Sequence, residues 1–108
     1  MKLRNKRNCY NAVNERAKFK YRLHLKLALK KDEKTVFAAL KHIRDYEILT
    51  DFKDFTGFNP LVADSYTRSL FEQNYSLSYI HDNLRSLRDF FRWLERQKGY
   101  RSKLNYNH

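Results

Sequence analysis

His81, Arg85, Arg88, Arg92 and Arg96 follow one another at spacings of 4, 3, 4 and 4 residues. On a helix that rhythm draws one stripe. Four guanidiniums in a row can donate to phosphate oxygens or to guanine edges. The same row is also what a solvated helix face looks like, and periodicity alone does not choose between the two. Little else in the chain supports chemistry. Glycines at 57 and 99 alone cannot build a phosphate-cradling loop. The single Cys9 gives no zinc pattern, and His24, His42, His81 and His108 lack ligand spacing. His24 and His42 read as ordinary surface or boundary residues. The carboxylates are scattered, mostly beside Lys or Arg, which points to local salt bridges. No catalytic site, metal or cofactor is expected.

The stripe needs a helix to carry it. Residues 76–100 read as the longest one, with Ser76 as N-cap and Gly99 as the left-handed stop. Ile80, Leu84, Leu87, Phe91 and Leu94 form its core face, about 120 degrees from the arginines at roughly 100 degrees per residue. Upstream, residues 14–31 alternate apolar and basic with a strand-like period of two, but Leu, Lys, Ala and Arg are helix formers. The expectation is a helix started by Asn14, with Ala17, Tyr21, Leu25 and Ala28 inward and Leu23 and Leu27 partly exposed. After a polar joint at 31–34, Thr35 is expected to cap a second helix to about 50, burying Val36, Leu40, Ile43 and Tyr46. Phe52, Phe55 and Phe58 should plug the connector onto the core. Asn59-Pro60 starts a third helix, which buries Val62, Tyr66 and Leu70 and which Asn74 ends. Four helices result, at about 14–31, 35–50, 60–74 and 77–98.

A chain of 108 residues fits one modest core, and only 2 Gly and 1 Pro favour an all-α fold. Net charge is +11, a polyanion-binding balance. It is uneven: 12 Lys/Arg against 3 Asp/Glu in residues 1–34 (+9), 4 against 6 in 35–75 (−2), and 7 against 3 in 76–108 (+4). Residues 1–13 read as a loose basic tail or a nucleic-acid-touching arm. Lone Cys9 fits a reducing compartment, no run is apolar enough to span a membrane, and a soluble, cytoplasmic protein is expected. The C-terminal end looks cut, as in a fragment of a longer protein.

The run Ser86-Leu87-Arg88-Asp89-Phe90-Phe91-Arg92-Trp93-Leu94, followed by Gln97-Lys98-Gly99-Tyr100-Arg101-Ser102-Lys103, resembles the end of the core-binding domain of tyrosine recombinases, the phage-type integrases. Asn14-Glu15-Arg16, then Tyr21, Leu25 and Ala28, then Glu33-Lys34-Thr35, resemble its first helix and helix junction. Asp54-Phe55 resembles its connector. The likeness covers about residues 14–104. It implies a four-helix, SAM-like orthogonal bundle at 14–98 that clamps double-stranded DNA beside a crossover site, with 99–108 starting the link to a downstream catalytic domain. That domain would carry the catalytic residues; none maps here. Contacts between protomers on DNA are also implied, and a bacterial or phage-encoded, nucleoid-associated setting. Carried over by position, the DNA-facing residues are Lys34, Thr35, Lys41, Arg44, Ser76, Ser78, Tyr79, Arg85, Arg88 and Arg92. Tyr79 departs from the small hydroxyl residue the family often has there. Trp93 reads either as helix packing or as a contact for the catalytic domain. A helical protein-interaction module and a general RNA-binding domain are the competing functional readings.

Overall fold

A computed structural model of the chain describes residues 11–100. Among them the fold is all-α. Helix α1 covers Ala12–Leu23 and runs on through a π-helical turn, His24–Ala28. Helices α2 (Glu33–Leu49), α3 (Pro60–Glu72) and α4 (Leu77–Glu95) follow, with a short 3-10 turn at Phe55–Gly57 between α2 and α3. Expectations placed on Cys9, on residues 1–10 of the basic tail and on residues 101–108 fall outside the described residues, whereas 11–13, expected to be tail, form the cap and the start of α1.

Each helix starts on a side-chain oxygen. Asn59 accepts from the Val62 amide at 2.9 Å ahead of Pro60, and Ser76 accepts from the Tyr79 amide at 3.1 Å, both as the sequence suggests. Two other starts differ. Asn11, not Asn14, caps α1, accepting from the amides of Val13 and Asn14 at 3.0 and 3.1 Å. Asp32, not Thr35, caps α2: its carboxylate accepts from the Thr35 amide at 2.9 Å. The anionic oxygen suits the positive end of the helix, and Thr35 becomes the third helical residue. Asn74 ends α3 as expected, with φ 63 degrees, and glycine is likewise not needed at two other reversals, where Lys30, Asp51 and Phe52 take φ values of 55, 58 and 59 degrees. Helix α4 stops at Glu95, and Gly99 (φ 93 degrees) lies in the turn beyond it. Tyr100 packs, half-buried, against the core.

The alternating stretch 14–31 is helical, with Ala17, Tyr21 and Leu25 buried and Leu23 and Leu27 exposed. Ala28 is exposed rather than inward. The π turn explains it: the Leu29 amide reaches back five residues to the His24 carbonyl at 3.0 Å, so the helix phase slips after Leu25. In α2, Val36, Ile43 and Tyr46 are buried and Leu40 half-buried, as are Tyr66 and Leu70 (buried) and Val62 (half-buried) in α3. Phe55 and Phe58 plug the core, whereas Phe52 stays half-exposed. The α4 face is wider than the apolar stripe. Asn83 and Phe90 join Ile80, Leu87, Phe91 and Leu94 in the interior, with Leu84 at its margin.

Tyr46 centres the core. Its ring lies 5.2–6.2 Å from those of Phe55, Phe58, Tyr66 and Phe91, mostly edge to face. Phe58 and Phe91 stack at 4.0 Å, and Phe90 meets Tyr21 and Phe55 at 4.9 and 5.0 Å. Beside these rings sits a buried polar knot. Asn14 donates to the Lys53 carbonyl at 2.9 Å, accepts from the Phe55 amide at 3.0 Å and lies 3.5 Å from Glu47. Lys18 closes on Glu47 at 2.6 Å. This pins the connector to α1 and satisfies backbone groups that burial would otherwise strand.

Replacing Asn14 with Leu should lower unfolding free energy in a denaturant titration by about 3 kcal/mol, because the Phe55 amide and Lys53 carbonyl lose partners (each stranded group costs ~1–3 kcal/mol). The opposite sign is expected at Tyr46. Its hydroxyl is buried with no hydrogen-bond partner among the described residues. Tyr46→Phe should raise stability by roughly 1 kcal/mol, and a loss instead would show that the hydroxyl is satisfied in solution.

Candidate nucleic-acid interface

The residues singled out for DNA contact lie mainly on α2 and α4. These helices pack side by side, and their pairings run in opposite order along the two. Toward one end, Lys34 and Thr35 of α2 face Arg85 and Asp89 of α4 across a groove of about 510 Å³. Midway, His42 Nδ1 and Ser86 Oγ share a 2.7 Å hydrogen bond. Toward the other end, the Tyr79 hydroxyl donates to Asp45 and accepts from Lys41 Nζ at 3.1 Å. Asn83 ties the seam to the interior: its amide donates to Asp45 at 3.3 Å, and its carbonyl accepts from the Tyr66 hydroxyl at 2.8 Å.

The groove therefore gathers Lys34, Thr35 and Arg85 and adds Lys31, which the spacing alone left in a joint. Its charge is mixed, since Asp82 and Asp89 line it as well. Arg85 lies 3.5 Å from Asp82, and Arg88 3.8 Å from Asp89. All are exposed pairs, so each holds its arginine weakly and a phosphate can compete for it. Arg85 stands on a ridge. It also lines a second recess with Arg88, His81, Phe58 and Ala63, on the side where α3 packs. Arg92 and Arg96 continue the exposed stripe.

Other candidates stand elsewhere. Arg44 lies on the opposite flank of α2, its guanidinium 5.5 Å from the Phe52 ring centre, in a groove with Lys18 and Arg22 of α1. Ser76 Oγ accepts from the Tyr79 amide, which leaves its O–H free to donate, and both Ser76 and Ser78 are exposed at the start of α4. The Tyr79 hydroxyl is already engaged by Asp45 and Lys41, so it is not a free phosphate donor in this arrangement. Burial and the bond to Asp45 push its phenol up, which keeps it protonated. The bond to Tyr79 raises Lys41 in turn, so its charge persists.

His42 and Asp45 were not legible as seam residues. They lie three residues apart on the α2 face that flanks Tyr46, a spacing that would place both against a neighbouring helix. Trp93 packs between helices, its ring 5.0 Å from Tyr21 and 5.7 Å from His24. Among the described residues no group of three or more His, Cys, Asp or Glu is placed to hold a metal ion, and no helix is long and apolar enough to cross a membrane. No family model, curated protein or solved structure matches the chain.

Burial lowers the pKa of His42 below the ordinary 6.5, against the opposing pull of Asp45 and Asp82 and with some help from Lys41. The unfolded chain then binds the proton more readily than the folded one. Stability from this residue is complete above about pH 6.5 and is lost as pH falls below it. His42→Gln should flatten the dependence of unfolding free energy on pH between about pH 7 and about pH 5, measured by denaturant melts across that range.

Proposed function

We propose that this chain is a double-stranded-DNA-binding domain that grips the phosphate backbone with α4 and the start of α2. The observation that carries the reading is the exposed row Arg85, Arg88 and Arg92 on α4, continued by Arg96 just past its end, away from that helix's buried face. Lys31 and Lys34 approach Arg85 across the groove and widen the row into a patch. Net charge of +11 supports a polyanion partner. Guanidiniums on a rigid helix suit phosphate oxygens, and most such contacts position a protein on DNA without reading sequence.

The more specific proposal is the core-binding domain of a tyrosine recombinase, SAM-like in fold. Its support is the 86–94 motif and the order of four helices with a short connector before the third. In that reading the chain binds and orients DNA, while a catalytic domain beyond it cuts and rejoins. The DNA-facing set is then Lys34, Thr35, Arg85, Arg88 and Arg92, with Ser78 at the first turn of α4. Tyr79 and Lys41 brace one another, and Arg44 belongs to a different surface.

Fluorescence anisotropy with labelled duplex DNA tests this. Affinity of the whole chain should fall steeply with salt. Arg85→Ala with Arg88→Ala should weaken binding to every duplex and reduce the log–log salt slope by about two, at roughly 0.9 for each phosphate no longer neutralised. Arg22→Ala, on another face, should change affinity by no more than about twofold. Equal effects from both variants would leave only diffuse charge attraction. Tighter binding of duplex RNA than of duplex DNA would replace the proposal with RNA binding.

A further inference from the structure

Helices α1 and α2 leave a groove of about 520 Å³ between them on a face the DNA reading does not use for its arginine row. Its lining is mainly apolar. Phe19 is 60% exposed and Phe37 71% exposed, large values for phenylalanines on a packed helix pair, and Leu40 forms the half-buried floor. Cations rim it: Lys18 and Arg22 on α1, Lys41 and Arg44 on α2, against the single carboxylate Glu15. Two of the four are committed. Lys18 is held by Glu15 and Glu47, and Lys41 by Tyr79 and Asp45. Arg22 and Arg44 form no salt bridge among the described residues.

We infer that this groove docks an acidic amphipathic helix from another protein. The apolar floor takes the partner's hydrophobic anchors, spaced as on one helix face. Arg22 and Arg44, one on each wall, take carboxylates flanking those anchors, for which a planar guanidinium gives paired hydrogen bonds. Charge excludes the nearer occupants. Residues 1–10 and 101–108 carry Lys and Arg but no Asp or Glu, so neither of these two segments supplies the carboxylates. A second copy would set one cationic rim against another. Single-stranded nucleic acid is the other polyanion that meets phenylalanines and cations, through stacked bases. It is disfavoured because Leu40 offers no stacking face, and because only two cations on the rim, Arg22 and Arg44, have no salt bridge among the described residues, which suits a pair of carboxylates better than a run of phosphates.

A displayed library of helical peptides, selected against the whole chain, tests the inference. Enriched sequences should combine apolar residues at helical spacing with flanking Asp or Glu. A synthetic peptide from that pool should bind about tenfold or more weakly to Phe37→Ser and to Arg22→Glu, as expected for a buried anchor and its charged neighbour. Both positions are exposed, and unchanged thermal melts would verify that the variants fold. Arg85→Ala with Arg88→Ala should leave peptide binding intact, which separates this groove from the DNA face. No enrichment, enriched peptides without acidic residues, or binding indifferent to Phe37 and Arg22 would overturn the proposal. Displacement of the peptide by oligothymidylate, with oligothymidylate affinity lost in Phe37→Ser, would overturn it in favour of single-stranded nucleic acid.

Discussion

The fold hangs on the packing of aromatic rings around Tyr46. Rings from α2, the connector, α3 and α4 meet there, and Phe90 extends the cluster to Tyr21 on α1. A core built from so few residues needs large side chains, because a chain this short buries a smaller fraction of its surface than a long one. Edge-to-face contacts between rings add some ~0.5–1.5 kcal/mol each beyond the area they bury. That surplus offsets two local costs: the left-handed backbone at Lys30, Asp51, Phe52 and Asn74, and the polar groups of Asn14 and Glu47 held away from water.

Interior polarity also shapes the surface. Asp45 and Glu47 belong to the acidic middle third of the chain, yet both are buried, one against Tyr79 and Asn83, the other against Lys18 and Asn14. Their charge is used for joining helices. The exposed surface is thus left with a more basic balance than a uniform spread of the same residues would produce. The arginine row on α4 and the cationic rim between α1 and α2 both benefit, though they face different ways.

Helix type and order were legible because apolar spacing and the caps at Asn59 and Ser76 agree in the later helices, and because the helix formers Leu, Lys, Ala and Arg outweigh the strand-like alternation of residues 14–31. The failures have particular physical causes. Asn14 and Thr35 look like caps, but each has a better-placed acceptor three residues upstream, Asn11 and Asp32, and only the backbone shows which is used. Phe90 and Asn83 fall outside the expected core face because a single stripe suits a helix with one neighbour. Helix α4 touches α1, α2 and α3 and buries a broader arc. The candidate site was half legible: charge and spacing located the α4 arginines. The pairing of Tyr79 with Asp45 and Lys41, and the separation of Arg44 from the seam, depend on how two helices rotate against each other, which periodicity within one helix does not encode.

The π turn at His24–Ala28 has a consequence for how this chain tolerates changes in length. Such a turn is an α-helix that has taken in one additional residue, with the surplus absorbed locally. Tyr21 and Leu25 are anchored before the slip is complete, and Leu27 and Leu29 after it are exposed. Insertion or loss of a single residue there would be felt mainly in the solvent-facing end of the helix and in the reversal at Lys30. The same change inside α2 or α4 would rotate core rings and seam hydrogen bonds out of alignment together. Among the described residues the bundle thus has one segment where its reading frame of side chains is elastic: His24 and Leu25 at its start still touch the α4 side, and the exposed residues after them take up the slip.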